Sequence, residues 1–243
     1  MKHCKNCGRP VHDVYCSHCG QKISLGRISL SYLWEELFHF FTHIDKGFLF
    51  TSWKMIVEPG LTPKEFVRGK RKIYQSPISY FLIWITVYIL FLYWIEKIFG
   101  QDQVISYKDY FGAGTRAAIS HLAIVLAIVI PFQAVYLWLL VSWREYNYFE
   151  TMVATIYVLG TIIMLQFFFA LISLLLFALG VKSINLKISD LLKILYLAWF
   201  ILHYVQLFPV KMKWLRAILF VLLAFGTFSL WRLYGVPVLF KGY

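Results

Sequence analysis

The chain has 243 residues, of which 60% are hydrophobic, 19% aromatic and only 15% charged, and its mean hydropathy is +0.67. Soluble domains run at about 45–50% apolar and about 25% charged, so these figures argue against a soluble enzyme and point to a bilayer. The 24 Lys and Arg against 12 Asp and Glu leave +12, which suits the basic flanks of membrane helices better than a nucleic-acid-binding face.

All four cysteines, Cys4, Cys7, Cys16 and Cys19, fall near the N-terminus as C-x2-C, eight residues, then C-x2-C. Gly8 and Gly20 follow the second cysteine of each pair. Two thiolates three residues apart grip one ion from a tight turn, and the glycine lets the chain turn back with positive φ. Two such knuckles make the tetrahedral four-sulfur set that Zn²⁺ prefers, so residues 1–24 are expected to be a structural zinc ribbon. Disulfides would need an oxidising compartment, and the charged stretch around these cysteines is not the apolar region of a signal peptide. A closed four-sulfur site leaves no open coordination position for catalysis. His3, His12 and His18 are then surface histidines.

Residues 25–76 are expected to be amphipathic helices on the cytosolic side or at the interface. Leu30, Leu33, Trp34, Leu37, Phe38 and Phe41 mark one helical face, suited to the membrane interface or to packing on a bundle. Ser31 is the expected N-cap, with Glu35 and Glu36 early in the helix. A second short helix is expected over Phe48 to Val57. A third starts at Pro63 from a Thr62-Pro63-Lys64-Glu65 capping box and ends at Gly69. Arg68, Lys70, Arg71 and Lys72 then form a basic cluster directly before the first long apolar run. It is expected to set topology and to face anionic lipid or a partner. His39 and His43 share a helix face with Asp45 close behind, the candidates for a second metal site, although the Glu of a metalloprotease helix is missing.

From Pro77 on, five apolar runs come near the ~20 residues that a bilayer core requires. They are 78–99, 118–142, 152–179, 191–208 and 217–234. Trp94, Trp138, Trp143, Trp214 and Trp231 mark their ends, as in an interfacial belt. Pro131 predicts a kink in the second. The fourth is the least apolar, carrying Lys193, His203 and Gln206. His203 is the deepest ionisable group and is expected to bond to a Gln on another helix. Glu150, His121 and Arg232 lie near run ends, where interfacial solvation accounts for them. No HExxH, GxSxG, P-loop or intramembrane Asp pair is present, which argues against an enzyme.

Three stretches carry a resemblance. Cys4-Lys-Asn-Cys7-Gly8 with Cys16-Ser-His-Cys19-Gly20-Gln21-Lys22 is the first, and His43-Ile-Asp45-Lys46-Gly47-Phe48-Leu49-Phe-Thr51 the second. The third joins Pro59-Gly60-Leu-Thr62 to Gly69-Lys70-Arg71 and Tyr74-Gln-Ser-Pro77. Together they resemble a bacterial membrane-protein family known as domain of unknown function 3667. The resemblance covers about a third of the chain closely. It implies a ribbon joined to a polytopic inner-membrane part, carries no activity, and makes the segment from His43 to Pro77 look like a specialised surface.

The expected fold is therefore an all-α integral membrane bundle of about five helices with a small zinc ribbon and amphipathic collar helices. Basic residues before the first run and reduced thiols both place the N-terminus in the cytosol of a bacterial inner membrane. The expected function is that of a non-enzymatic accessory protein. Its ribbon and collar would recruit or steady another membrane complex, with anionic lipid around it and no nucleic acid. The alternatives are an oligomeric pore, channel or small transporter, or an interfacial enzyme using His39, His43 and Asp45. The sequence gives no oligomeric state.

Overall fold

The computed structural model describes residues 2–39, 47–99, 122–179 and 187–230. It is mostly helical, with a small two-stranded sheet at the start. Strands β1 (Lys2–His3) and β2 (Pro10–Val11) pair antiparallel, with Lys2 opposite Val11 and His3 opposite Pro10. Helices α1 (Leu30–His39), α2 (Phe48–Val57) and α3 (Leu61–Arg68) form the collar. The bundle is α4 (Pro77–Phe99), α5 (Leu122–Leu137) with a π turn over Trp138–Ser142, α6 (Tyr148–Ala178), α7 (Lys187–Gln206) and α8 (Lys213–Leu230).

Helix α6 is central. Helices α4, α5 and α7 pack on it, and α8 closes the bundle against α5 and α7. The core is aromatic: Tyr80, Tyr157, Tyr204, Phe66, Phe200 and Phe220 are fully buried. Tyr80 reaches from α4 to Thr161 on α6, hydroxyl to hydroxyl at 3.1 Å. One end of the bundle carries the collar. There the Tyr146 and Phe208 rings meet edge to face at 5.3 Å, the Arg216 guanidinium donates to the Leu140 carbonyl, and the Tyr157 hydroxyl donates to the carbonyl of Gln75 just before α4.

Among the described residues, four helices are long and apolar enough to cross a membrane: Pro77–Ile95, Tyr148–Leu176, Ile188–Gln206 and Lys213–Leu230. The expected run at 118–142 is also helical. Its apolar stretch Leu126–Ser142 is shorter, and residues 118–121 lie outside the described ones. That helix continues through Pro131 and passes into the π turn at its collar end. Exposed tryptophans mark both ends, Trp94 on one side and Trp143 and Trp214 on the other. Trp231 lies outside the described residues.

Several boundaries differ from expectation for a common reason, because polar first turns are helical. Helices α6, α7 and α8 each begin four residues before the apolar run does, taking in Glu150, Asp190 and Arg216. Helix α1 starts at Leu30, so Ser29 and not Ser31 caps it, accepting from the Tyr32 amide at 3.4 Å. Glu35 and Glu36 consequently lie beyond the first turn. The face expected to be uniform is divided, Leu33 being buried while Leu30 and Trp34 are exposed.

Helix α3 begins at Leu61, preceded by Gly60, and the Thr62-to-Glu65 box does not form. The Thr62 hydroxyl donates backwards to the Glu58 carbonyl at 3.1 Å, and Glu65 pairs with Lys70 instead. A true capping box occurs where none was expected, at the start of α6. The Glu150 amide donates to Asn147 Oδ1 at 2.7 Å, and the Asn147 amide donates to Glu150 Oε2 at 2.9 Å. Each side chain thus satisfies the other's orphan donor.

Candidate metal centre and its dock

The two cysteine knuckles are built alike. In the first, the Cys4 amide donates to the Arg9 carbonyl and the Gly8 amide to the Cys4 carbonyl, both at 2.8 Å. In the second, the Cys16 amide donates to the Gln21 carbonyl at 2.9 Å and the Gly20 amide to the Cys16 carbonyl at 2.8 Å. Gly8 and Gly20 have φ of 74° and 69°, the left-handed turn that glycine adopts without steric cost.

The four Sγ atoms converge, all within 4.8 Å of one another. Cys4 and Cys19 sulfurs stand 3.6 Å apart and Cys7 and Cys16 sulfurs 3.7 Å apart. A disulfide would bring them to about 2.05 Å, and all four cysteines are free. An ion with metal–sulfur bonds of about 2.3 Å at the centre of a tetrahedron sets sulfurs about 3.8 Å apart. The donor set therefore fits a soft tetrahedral metal ion. Cys4 and Cys16 are buried, Cys7 and Cys19 half-buried.

Crowding separates the thiol acidities. Cys16 is lowered to about 7 by backbone hydrogen bonds from Cys19 and His18. The backbone at Arg9 favours the Cys7 thiolate, but desolvation and contacts with the other three sulfurs outweigh it and raise that thiol to about 11. A metal ion would replace these protons, since the ligating form is the thiolate. His3, His12 and His18 are exposed, as expected.

The ribbon is fastened to the collar by side chains that do not ligate. Asn6 Oδ1 accepts from the Ile73 amide at 3.2 Å, and Gln21 Oε1 accepts from the Lys72 amide at 3.1 Å. Arg27, just beyond the ribbon, makes a two-pronged bond to Glu150, with Nε to Oε1 at 2.9 Å and Nη2 to Oε2 at 2.6 Å. Asn147 completes the join by donating to the Ile28 carbonyl at 3.0 Å. Interfacial solvation does not account for Glu150, whose side chain is only 5% exposed. It is held by Arg27 and by the capping box.

The basic cluster is only partly open to solvent. Arg68 and Lys72 are exposed. Lys70 pairs with Glu65. Arg71 donates to the Gly26 carbonyl at 3.1 Å and lies over the Tyr32 ring at 4.7 Å. Of the four cations expected at a lipid or partner surface, Lys70 is thus engaged within the collar and Arg71 holds the collar to the linker. The expected His203-to-Gln bond is not formed. His203 Nδ1 is buried without a hydrogen-bond partner, and its ring lies 5.8 Å from that of Trp199. His43 and Asp45 of the candidate second metal site lie outside the described residues, as does the side chain of His39.

Sequence reasoning missed Arg27, Asn147, Gln21 and Asn6 as dock residues. Asn147-Tyr-Phe-Glu150 reads as a capping box, but it sat hidden before the apolar stretch. No local pattern marks Asn6, Gln21 or Arg27, because their partners lie far along the chain.

The fold and the cysteine cluster together define a mostly helical protein with, among the described residues, four helices long and apolar enough to cross a membrane and an N-terminal cluster able to hold a metal ion. The family described as "Protein of unknown function (DUF3667)" matches residues 45–89, which run from before α2 to midway along α4. No curated protein and no solved structure matches the chain.

Proposed function

We propose that this is a non-enzymatic accessory protein of the bacterial inner membrane, whose metal ribbon and collar recruit or steady another membrane complex. The observation that carries this reading is the dock. A closed four-sulfur cluster is joined to one end of an apolar bundle through Asn6, Gln21, Arg27 and Asn147. Such a cluster does no chemistry itself but holds a small surface rigid. The ion is Zn²⁺ in this reading, and it is structural.

Helix α5 and its π turn together run for 21 residues, enough for a fifth span. The ribbon end is the cytosolic end, because thiolates need a reducing compartment and exposed Arg68, Lys72, Arg144 and Lys211 lie on that side. These cations meet anionic headgroups at about 1 kcal/mol each.

A second reading, a pore or small transporter, rests on Lys193 and Asp190 in α7. They are 3.0 Å apart with the Lys193 side chain 9% exposed, and Lys193 lines a small cleft with Gln166 and Ser189. Ionisable groups inside spans often mark ion paths.

Purification in mild detergent from native membranes tests both readings. The accessory role predicts a membrane partner that co-purifies with the wild type and is lost with Cys4→Ser while the bundle stays in the membrane. Recovery of the bare protein, together with solute flux in liposomes that Lys193→Ala abolishes, would replace it with the second reading.

A further inference from the structure

Helix α2 divides lengthwise into three faces. Phe48, Ser52 and Met55 turn into the molecule. Phe48 lies 5.9 Å from the Tyr80 ring and 5.2 Å from that of Trp84, Ser52 Oγ accepts from the Trp84 indole at 3.2 Å, and Met55 is fully buried. Lys54 and Glu58 form a narrow polar edge, paired at 2.9 Å. The remaining face is apolar and open: Leu49 is 75% exposed, Trp53 63%, Ile56 41% and Val57 42%.

The position of this face decides what covers it. The N-terminal end of α2 touches α4, and its C-terminal end touches α7, where the Tyr196 hydroxyl donates to the Met55 carbonyl at 3.1 Å and the Trp199 indole to the Ile56 carbonyl at 3.0 Å. The helix therefore lies across the spans. It crosses them well inside their ends. Trp84 is seven residues into α4 and Tyr196 ten residues from the end of α7. At 1.5 Å per residue that is about 10–15 Å along each span, against a hydrocarbon core of about 30 Å.

The chain then turns back at Pro59-Gly60. A Cβ on Gly60 would stand 2.6 Å from the Tyr204 backbone nitrogen, so only glycine lets the turn press onto α7. Lys64 in α3 continues the return by donating to the Leu207 carbonyl. At the depth of α2, the open apolar face adjoins Trp199 (48% exposed), whose indole bonds the Ile56 carbonyl, and Leu195 (55%) lies one turn along, both on a candidate span.

We propose that α2 is an in-plane membrane helix whose Leu49–Trp53–Ile56–Val57 face binds the acyl chains of the ribbon-side leaflet. A soluble face of this kind would be a docking surface for protein. Here its continuity with the outer face of α7, and its depth along α4 and α7, select lipid. Lys54 and Glu58 pair with each other at 2.9 Å, which lowers the cost of charge on a helix in the leaflet. The collar is thus not wholly a cytosolic platform. Its middle helix, α2, is anchored in the leaflet, and only α1, the end of α3 and the ribbon are left to meet a partner.

Photo-crosslinking in the full chain tests this. p-Benzoylphenylalanine replaces Leu49 or Trp53 in protein reconstituted into phosphatidylcholine–phosphatidylglycerol vesicles. Leu222 on α8 serves as the lipid-facing reference and Lys72 as the water-facing one. The expected result is adducts on acyl carbons at positions 49 and 53, in yields close to that at 222 and lost at 72. Yields as low as at 72, or crosslinks to a second copy or to another protein, would overturn the proposal.

The unmodified protein gives an independent reading by hydroxyl-radical footprinting in the same vesicles. Trp53 is more exposed than Tyr15 of the ribbon, which is 58% exposed, and indole is the more reactive ring. Lipid cover predicts that Trp53 is nevertheless oxidised less than Tyr15; oxidation at or above the rate of Tyr15 would sink the idea.

Discussion

Within the ribbon, the buried cluster is Cys4, Val11 and Cys16, with Cys7, Cys19 and Ile23 packed against it. The bundle encloses Tyr80, Tyr157, Tyr204, Phe200 and Phe220 along with aliphatic side chains such as Ile85, Leu137, Val153 and Ile201. The difference is one of means. A stretch of about 20 residues cannot bury enough apolar surface to fold alone, and in the proposed reading an ion held by its sulfurs acts as the core. The bundle carries its own core and satisfies its backbone within helices, as a membrane demands. The two regions should therefore respond unequally to the same treatment, and their join should be the weak link.

Removing the metal separates them most sharply. Structural zinc in small ribbons supplies about 10–16 kcal/mol of apparent folding free energy, far more than a region this size earns otherwise. A strong chelator should abolish hydrogen-exchange protection of the Cys4, Gly8, Cys16 and Gly20 amides while leaving that of α6 and α7 unchanged. Protection surviving in the ribbon after chelation would show that the sulfurs are not its core. Cys16→Ser should reproduce the chelated state in the presence of metal.

The same contrast explains what could be read from the sequence. The ribbon was legible almost completely, because metal spacing, Gly8 and Gly20 are local signals with a direct geometric meaning. The long helices were legible from their apolar runs, but their first turns were not, since Glu150, Asp190 and Arg216 look like loop residues until the helix is seen to include them. The collar was harder. Thr51 and Gly60, which entered the sequence reading only through the family resemblance, serve long-range packing: Thr51 Oγ1 accepts from the Gln75 amide at 2.8 Å, and Gly60 meets the α7 backbone. The dock was invisible, since Arg27 and Glu150 lie 123 residues apart.

The join can be loosened without touching either core. Arg27→Ala leaves Glu150 buried with Oε1 stripped of its partner, although Asn147 still serves Oε2. An unsatisfied buried polar atom costs about 1–3 kcal/mol, and the open position of Arg27 favours the lower end. Exchange of the Leu33 amide should quicken while that of Cys4 and Cys16 does not. Arg27→Lys should restore part of the protection, because it keeps the charge but loses the two-pronged geometry. Equal exchange in wild type and Arg27→Ala would mean that Asn147 alone holds the linker.

The smallest expected effect lies inside the collar and concerns acid. Burial pushes the Glu65 carboxyl upward, but hydrogen bonds from Lys70 and Tyr74 outweigh it and hold the group below its ordinary value. A lowered folded value stabilises the folded state fully above the unfolded value of about 4.3, and that contribution is lost as pH falls through the folded value. Because Lys70 is 42% exposed and Glu65 24%, solvent screening limits the contribution to about 1 kcal/mol or less. Acid also strips metal from thiolates, so the measurement belongs on chelated protein, where the ribbon no longer contributes. There the wild-type melting temperature should fall as pH drops below about 5, and Glu65→Gln should flatten that fall while lowering the neutral-pH value slightly. An unchanged slope in Glu65→Gln would assign the acid sensitivity to another carboxylate, with Glu150 at the dock the next to replace.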